Sequence, residues 1–153
     1  MLVVSNSSPL IALAHVGQLD LIRALLGEVI VPPAVVREVF GDRELPPWVR
    51  IRAPAQPFAE SVSPALGPGE RDAIALAIEA HAARIILDDL PARRFAASLG
   101  LVVVGTAGLL LAAKTAGIIP AVAPILDDLL ASGFRLSPVV LAAVLVAAGE
   151  APA

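Results

Sequence analysis

The sequence has no cysteine and no tyrosine, and only one tryptophan, one methionine and one lysine. Without cysteine there is no disulfide framework, no thiolate zinc site and no cysteine nucleophile. That absence fits a reducing cytoplasm, the compartment expected here. Basic charge is also scarce: eleven cationic side chains, with Lys114 the only lysine, face fourteen acids for a net charge of −3. The cations are scattered, so no basic stripe drives non-specific binding to nucleic acid, and any RNA must be found through a local site. His15 and His81 stand alone without a second ligand at metal spacing, and they read as helix-surface or core residues. No phosphate-binding loop, dinucleotide fingerprint or nucleophile elbow occurs.

Long apolar runs are missing as well, although 58% of residues are hydrophobic and the mean hydropathy is +0.85. A membrane-spanning helix needs about 20 mostly apolar residues. The run 101–113 is interrupted by Gly105, Thr106 and Gly108, the run 139–148 is too short, and Pro120 and Pro124 break 118–126. No membrane span is expected, and no secretory signal, because the first residues lack a basic region.

What remains is a chain of 153 residues, the size of one ordinary domain, expected over 1–150. So much apolar surface is hard to hide in a small monomer, which points to a homodimer, a higher oligomer or a partner face. Short apolar runs at 2–5, 28–31, 84–87 and 101–104 read as strands, with a further short strand at 49–52. Helical patterns fill 34–40, 70–82, 91–99, 106–116, 121–132 and 138–148. Ser8-Pro9 reads as a cap and a first-turn proline opening helices that run to about Leu26 with a break near Gly17. Thr106 reads as a cap too, and the proline-rich stretch 41–69 reads as a flap. Near-continuous apolar strands separated by helices predict a parallel sheet covered on both faces, a three-layer α/β/α sandwich. In such sheets ligands bind outside the carboxyl ends of the strands.

Two strands end in polar clusters there: Asn6-Ser7-Ser8 after the first, and Asp88-Asp89 after 84–87. Glu70 and Asp72 fall in the first turn of the helix before Asp88-Asp89, and Glu38 in the helix after the second strand. Each has a structural explanation by itself. Asn6 can hydrogen-bond its own turn; Ser8 as a cap is worth about 1 kcal/mol; Glu70 and Asp72 near a helix N-terminus gain roughly 0.3–1 kcal/mol each. Glu38 borders an apolar face and can simply be solvated. The adjacent Asp88 and Asp89 repel one another, though one can cap the next helix. Arg93 and Arg94, just beyond, can touch phosphate or form a solvated helix face. Taken jointly, an oxygen-only set suits Mg²⁺ or Mn²⁺. Such an ion activates water and stabilises charge developing on a phosphate.

The order of these segments resembles the PIN-domain superfamily. It is carried by Val-Val-Ser-Asn-Ser-Ser-Pro-Leu-Ile-Ala-Leu-Ala (3–14), Val-Pro-Pro-Ala-Val-Val-Arg-Glu-Val (31–39) and Gly-Pro-Gly-Glu-Arg-Asp-Ala-Ile-Ala-Leu-Ala (67–77). Ile-Leu-Asp-Asp-Leu-Pro-Ala-Arg-Arg (86–94), Gly-Thr-Ala-Gly-Leu-Leu-Leu-Ala-Ala-Lys (105–114) and Gly-Phe-Arg-Leu-Ser-Pro (133–138) complete it. The nearest likeness is to a prokaryotic branch of predicted nucleic-acid-binding proteins, similar to VapC toxins. The resemblance implies an α/β/α fold and a Mg²⁺- or Mn²⁺-dependent ribonuclease acting on RNA. It also implies the toxin of a toxin–antitoxin pair, with an antitoxin protein as partner and a dimeric assembly. It implies metal-binding roles for Glu38, for Glu70 or Asp72, and for Asp88 or Asp89, with Ser8 as the supporting hydroxyl. Asn6 stands where most such nucleases carry an aspartate. An amide oxygen can still ligate Mg²⁺ but brings no charge, so the alternative is a catalytically weak or inactive module that binds RNA or a protein.

Overall fold

Four three-residue strands and a two-residue one, mostly apolar, build the sheet. In the computed structural model, which describes residues 1–151, β1 is Val3–Ser5, β2 Val29–Val31, β3 Val49–Ile51, β4 Arg84–Ile86 and β5 Val103–Val104. All pairings are parallel and the spatial order is β3-β2-β1-β4-β5. Parallel strands need crossovers, and helices supply them: α1 (Ser7–His15), α2 (Asp20–Leu26), α3 (Pro33–Val39), α4 (Pro68–Glu79) and α5 (Leu90–Ser98), with α6 (Thr106–Thr115), α7 (Ala123–Ala131) and α8 (Pro138–Ala147) following the last strand.

Alternation along each strand feeds two separate cores. Val3, Val29, Val31 and Ile86 pack with α1, α2, α3, α6 and α7 on one face, where Leu10, Leu13, Ile22, Leu110 and Leu129 are fully buried. Val4, Ile30, Ile85 and Leu87 face the other way, onto Ile74 and Leu76 of α4 and Ala92 and Ala96 of α5. This is the expected three-layer α/β/α sandwich. No single helix among the described residues is long and apolar enough to cross a membrane; α1 and α2 pass such a test only as a pair, bent by 120°.

Two caps differ from expectation. The helix after β1 begins two residues earlier than Ser8-Pro9 suggested: Asn6 is the N-cap, Ser8 lies inside the first turn, and Pro9 sits at its third position. All first-turn N–H groups lack intrahelical partners, so a proline at any of these positions costs no hydrogen bond and its register is not fixed by sequence. Thr106 is the first residue of α6 rather than its cap, and Gly105 takes that place. The 41–69 stretch holds the edge strand β3, buries Trp48 and Leu66, and ends in a wall of the cleft described next.

Candidate functional site

The chain leaves β1 toward β2 and β3 on one side, then crosses back to lay β4 and β5 on the other. The carboxyl ends of β1 and β4 therefore meet at the point where the winding reverses, the place where open α/β sheets bind ligands. The Asn6 N–H still donates to the Ile86 carbonyl at 3.1 Å, which ties the two ends together. A cleft of about 320 Å³ opens there, lined by Asn6, Ser7, Ser8, Glu38, Glu70 and Asp89 and walled by Ala65 and the Gly67-Pro68-Gly69 turn.

Each side chain reaches the cleft for a local reason. Asn6 caps α1 through extended backbone alone, and its side chain makes no capping bond, so the amide is left for the cleft although the residue is only 2% exposed. Glu38 precedes buried Val39 in α3, whose Val35 and Val39 hold the helix on the core; the glutamate is exposed. Glu70 is the third residue of α4 and accepts the Gly67 N–H at 3.0 Å, half of a capping box that glycine cannot complete. Asp89 caps α5, accepting the Ala92 N–H at a long 3.4 Å, and keeps its other oxygen unengaged.

The absence of a side chain at Gly69 shapes the centre. A Cβ there would lie 2.7 Å from Glu38 Oε1 and 3.5 Å from Asn6 Oδ1, so both oxygens close over a bare Cα. Burial raises the Glu70 carboxyl above its ordinary value; the Gly67 N–H pulls it down, and the charges of Asp89 and Glu38 push it up again. The three acids thus feel one another across the cleft.

Ser7 was not singled out by sequence. Its Oγ is buried without a hydrogen-bond partner while the residue lines the cleft. The nearest signal was its place between Asn6 and Ser8.

Two acids go elsewhere. Asp72 does not line the cleft: two residues past Glu70 is about 200° around a helix, so the two cannot share a face. Asp88 turns away from Asp89. Its Oδ1 accepts the Thr106 N–H at 2.8 Å and its Oδ2 the Thr106 hydroxyl at 2.6 Å, fastening β4 to the start of α6. Arg93 donates to the Leu87 carbonyl at 2.9 Å and lines a neighbouring cavity with Asp88, whereas Arg94 is exposed and lines neither.

The donor set suits a hard divalent ion. It is oxygen-only, with three carboxylates and an amide, and an unpartnered serine hydroxyl lies beside them. Among the described residues no three acidic or histidine side chains converge into a preformed cage. Mg²⁺ does not require one, since it keeps several waters and is commonly held by one or two carboxylates with substrate phosphates.

A doubly wound α/β sandwich with an acidic cleft at its switch point is the architecture of a nuclease-type fold. The chain belongs to the PIN-domain family: a family model described as a PIN domain matches residues 2–150. No curated protein and no solved structure matched the chain.

Proposed function

We propose that this protein is an endoribonuclease dependent on Mg²⁺ or Mn²⁺, which hydrolyses phosphodiester bonds of RNA. The observation that carries the reading is that Glu38, Glu70 and Asp89, from three separate segments, line one cleft together with Asn6. Glu38, Asp89 and the Asn6 amide oxygen would hold the ion, and Glu70 would complete or orient the set. Bound there, a divalent ion would supply charge neutralisation at the phosphate and an activated water. The chain's own part is to hold the acids along one cleft. Gly69 lets Glu38 approach, and the α4 and α5 caps fix Glu70 and Asp89. The reading also makes the protein the toxin of a toxin–antitoxin pair, acting in the cytoplasm as a homodimer or higher oligomer. The uncharged α8, with Val139 and Val146 largely exposed, is surface suited to a second copy or an antitoxin.

The test is cleavage of a structured RNA substrate by the pure protein with Mn²⁺, with Mg²⁺ and with EDTA. Metal-dependent cleavage abolished by Glu38→Gln and Asp89→Asn is expected; no cleavage with either ion would refute it. One observation favours a second reading, a module that binds without cutting: the nearly buried central Asn6 adds no charge where a third or fourth acid would sit. Under that reading Mn²⁺ binds weakly to the natural chain, and Asn6→Asp tightens it by about tenfold or more without cleavage appearing.

A further inference from the structure

On the other side of the β4 turn lies a second cavity, larger than the acid cleft, at about 570 Å³. Asp88 and Asp89 are consecutive, yet one lines each cavity, so the two openings flank a single turn of chain. Two cations line this cavity: Arg93, from the first turns of α5, and Arg135, from the loop before α8. Gly105 leaves room for Arg93. A Cβ there would stand 2.7 Å from Arg93 Nη1 and 3.0 Å from Asp88 Oδ1. The only carboxylate in the lining is Asp88, and both its oxygens are spent on Thr106. The N-terminal turns of α6 and α8 also border it.

Apart from Ser137 the rest of the lining is apolar, including Leu90 and Val140. These are 54% and 44% exposed, large aliphatic side chains that the core does not use. An anion alone would not want such walls, and an apolar ligand would not want two guanidinium groups. A nucleotide wants both: its phosphate pairs with arginine, and its base lies flat on aliphatic surface and on a guanidinium plane. The volume lies in the range of small-ligand sites, about 300–1,000 Å³.

We propose that the Arg93–Arg135 cavity is a nucleotide subsite that seats the RNA residue next to the bond placed in the acid cleft. This rests on the nuclease reading for its purpose, but not for its binding chemistry. The test is calorimetric titration of the full chain in EDTA, where nothing is cleaved, with AMP, UMP, the corresponding nucleosides and inorganic phosphate. Both mononucleotides should bind saturably at millimolar or lower concentration, and more tightly than either nucleoside or phosphate alone. Arg135→Ala, at an exposed position, should weaken them by about tenfold. Val140→Asp, which sets a carboxylate at the half-exposed mouth, should do the same, and Arg94→Ala should leave binding unchanged. No saturable mononucleotide binding, phosphate binding as tightly as the nucleotides, or wild-type affinity in both Arg135→Ala and Val140→Asp would overturn it. Metal-dependent cleavage measured in parallel separates the two readings: cleavage without EDTA-resistant binding defeats the subsite alone, and binding without cleavage defeats the nuclease alone.

Discussion

The acid cleft and the clasp that holds the end of the chain solve the same problem in opposite ways. At the clasp, the Glu150 carboxylate accepts the Val122 and Ala123 N–H groups at 2.8 and 2.9 Å and pairs with Lys114 Nζ at 2.9 Å. Lys114 also donates to the Ala148 carbonyl. Every charge there has a partner, and the two N–H bonds with the Lys114 contact hold the Glu150 carboxyl down at about 2. In the cleft, Glu70 has one N–H and two acidic neighbours, and its carboxyl is raised. The clasp is electrostatically finished by the fold. The cleft is lined by three carboxylates and no cationic side chain, with only the Arg71 charge acting on Glu70 from outside the lining.

The sharpest way to break that contrast is to remove an acid from each side. Asp89→Asn should lower metal-dependent cleavage by about 10²-fold or more, a size typical of losing a preorganised charge in a site. Its unfolding temperature should hardly move, because asparagine keeps the cap on α5. Thermal unfolding alongside a cleavage assay checks both; a large stability loss with retained activity would place Asp89 among structural residues.

Gly69 sharpens the comparison at the next size down. Alanine there pushes a methyl against Glu38 Oε1, 2.7 Å away, but the glutamate is the movable end of an exposed side chain. Activity should fall by about tenfold, in line with the cost of small misplacement in a site. Stability should stay level or rise, since alanine is favoured over glycine within a helix by about 0.5–1 kcal/mol. Glu150→Gln should behave conversely. Cleavage should stay within about twofold of the natural chain while the unfolding temperature drops, because the Lys114 charge loses its partner.

How much of this was readable beforehand divides along the same line. The sandwich was legible because 3–5, 29–31 and 84–86 are near-continuous apolar runs between helical patterns, a pattern that parallel sheets impose. The convergence of β1 and β4 ends on Asn6 and Asp89 followed from the rule for such sheets. Choosing between Asp88 and Asp89 did not, because consecutive residues leaving a strand point to opposite sides and only tertiary contact with Thr106 shows which is taken. Glu70 over Asp72 depends on which face of the helix meets the cleft, and the two lie about 200° apart around it; the helix begins at Pro68, two residues before the expected Glu70. Arg135 is far from Arg93 in the chain, and no local pattern joins them.

The smallest effect, and the one that tests the contrast most directly, is on pH. Glu150 has a folded value of about 2 against an ordinary 4.5, so its contribution to stability is complete above about 4.5 and is lost as pH falls toward 2. Glu70 is raised above 4.5, so the folded state holds its proton more tightly than the unfolded chain does. Its favourable contribution is complete below about 4.5 and disappears as pH climbs through the raised value. Urea unfolding across pH 2.5–8 should therefore show Glu150→Gln weakest, relative to the natural chain, at neutral pH and nearly equal to it near pH 2.5. Glu70→Gln, which keeps an oxygen for the Gly67 N–H, should gain on the natural chain at neutral pH and lose that gain by about pH 4. Saturating Mn²⁺ should reverse the Glu70 effect alone, because a cation bound in the cleft stabilises the folded chain through its ionised acids. Parallel pH curves for both variants, or an Mn²⁺ response at Glu150, would remove the distinction between a satisfied carboxylate and one held ready for a metal.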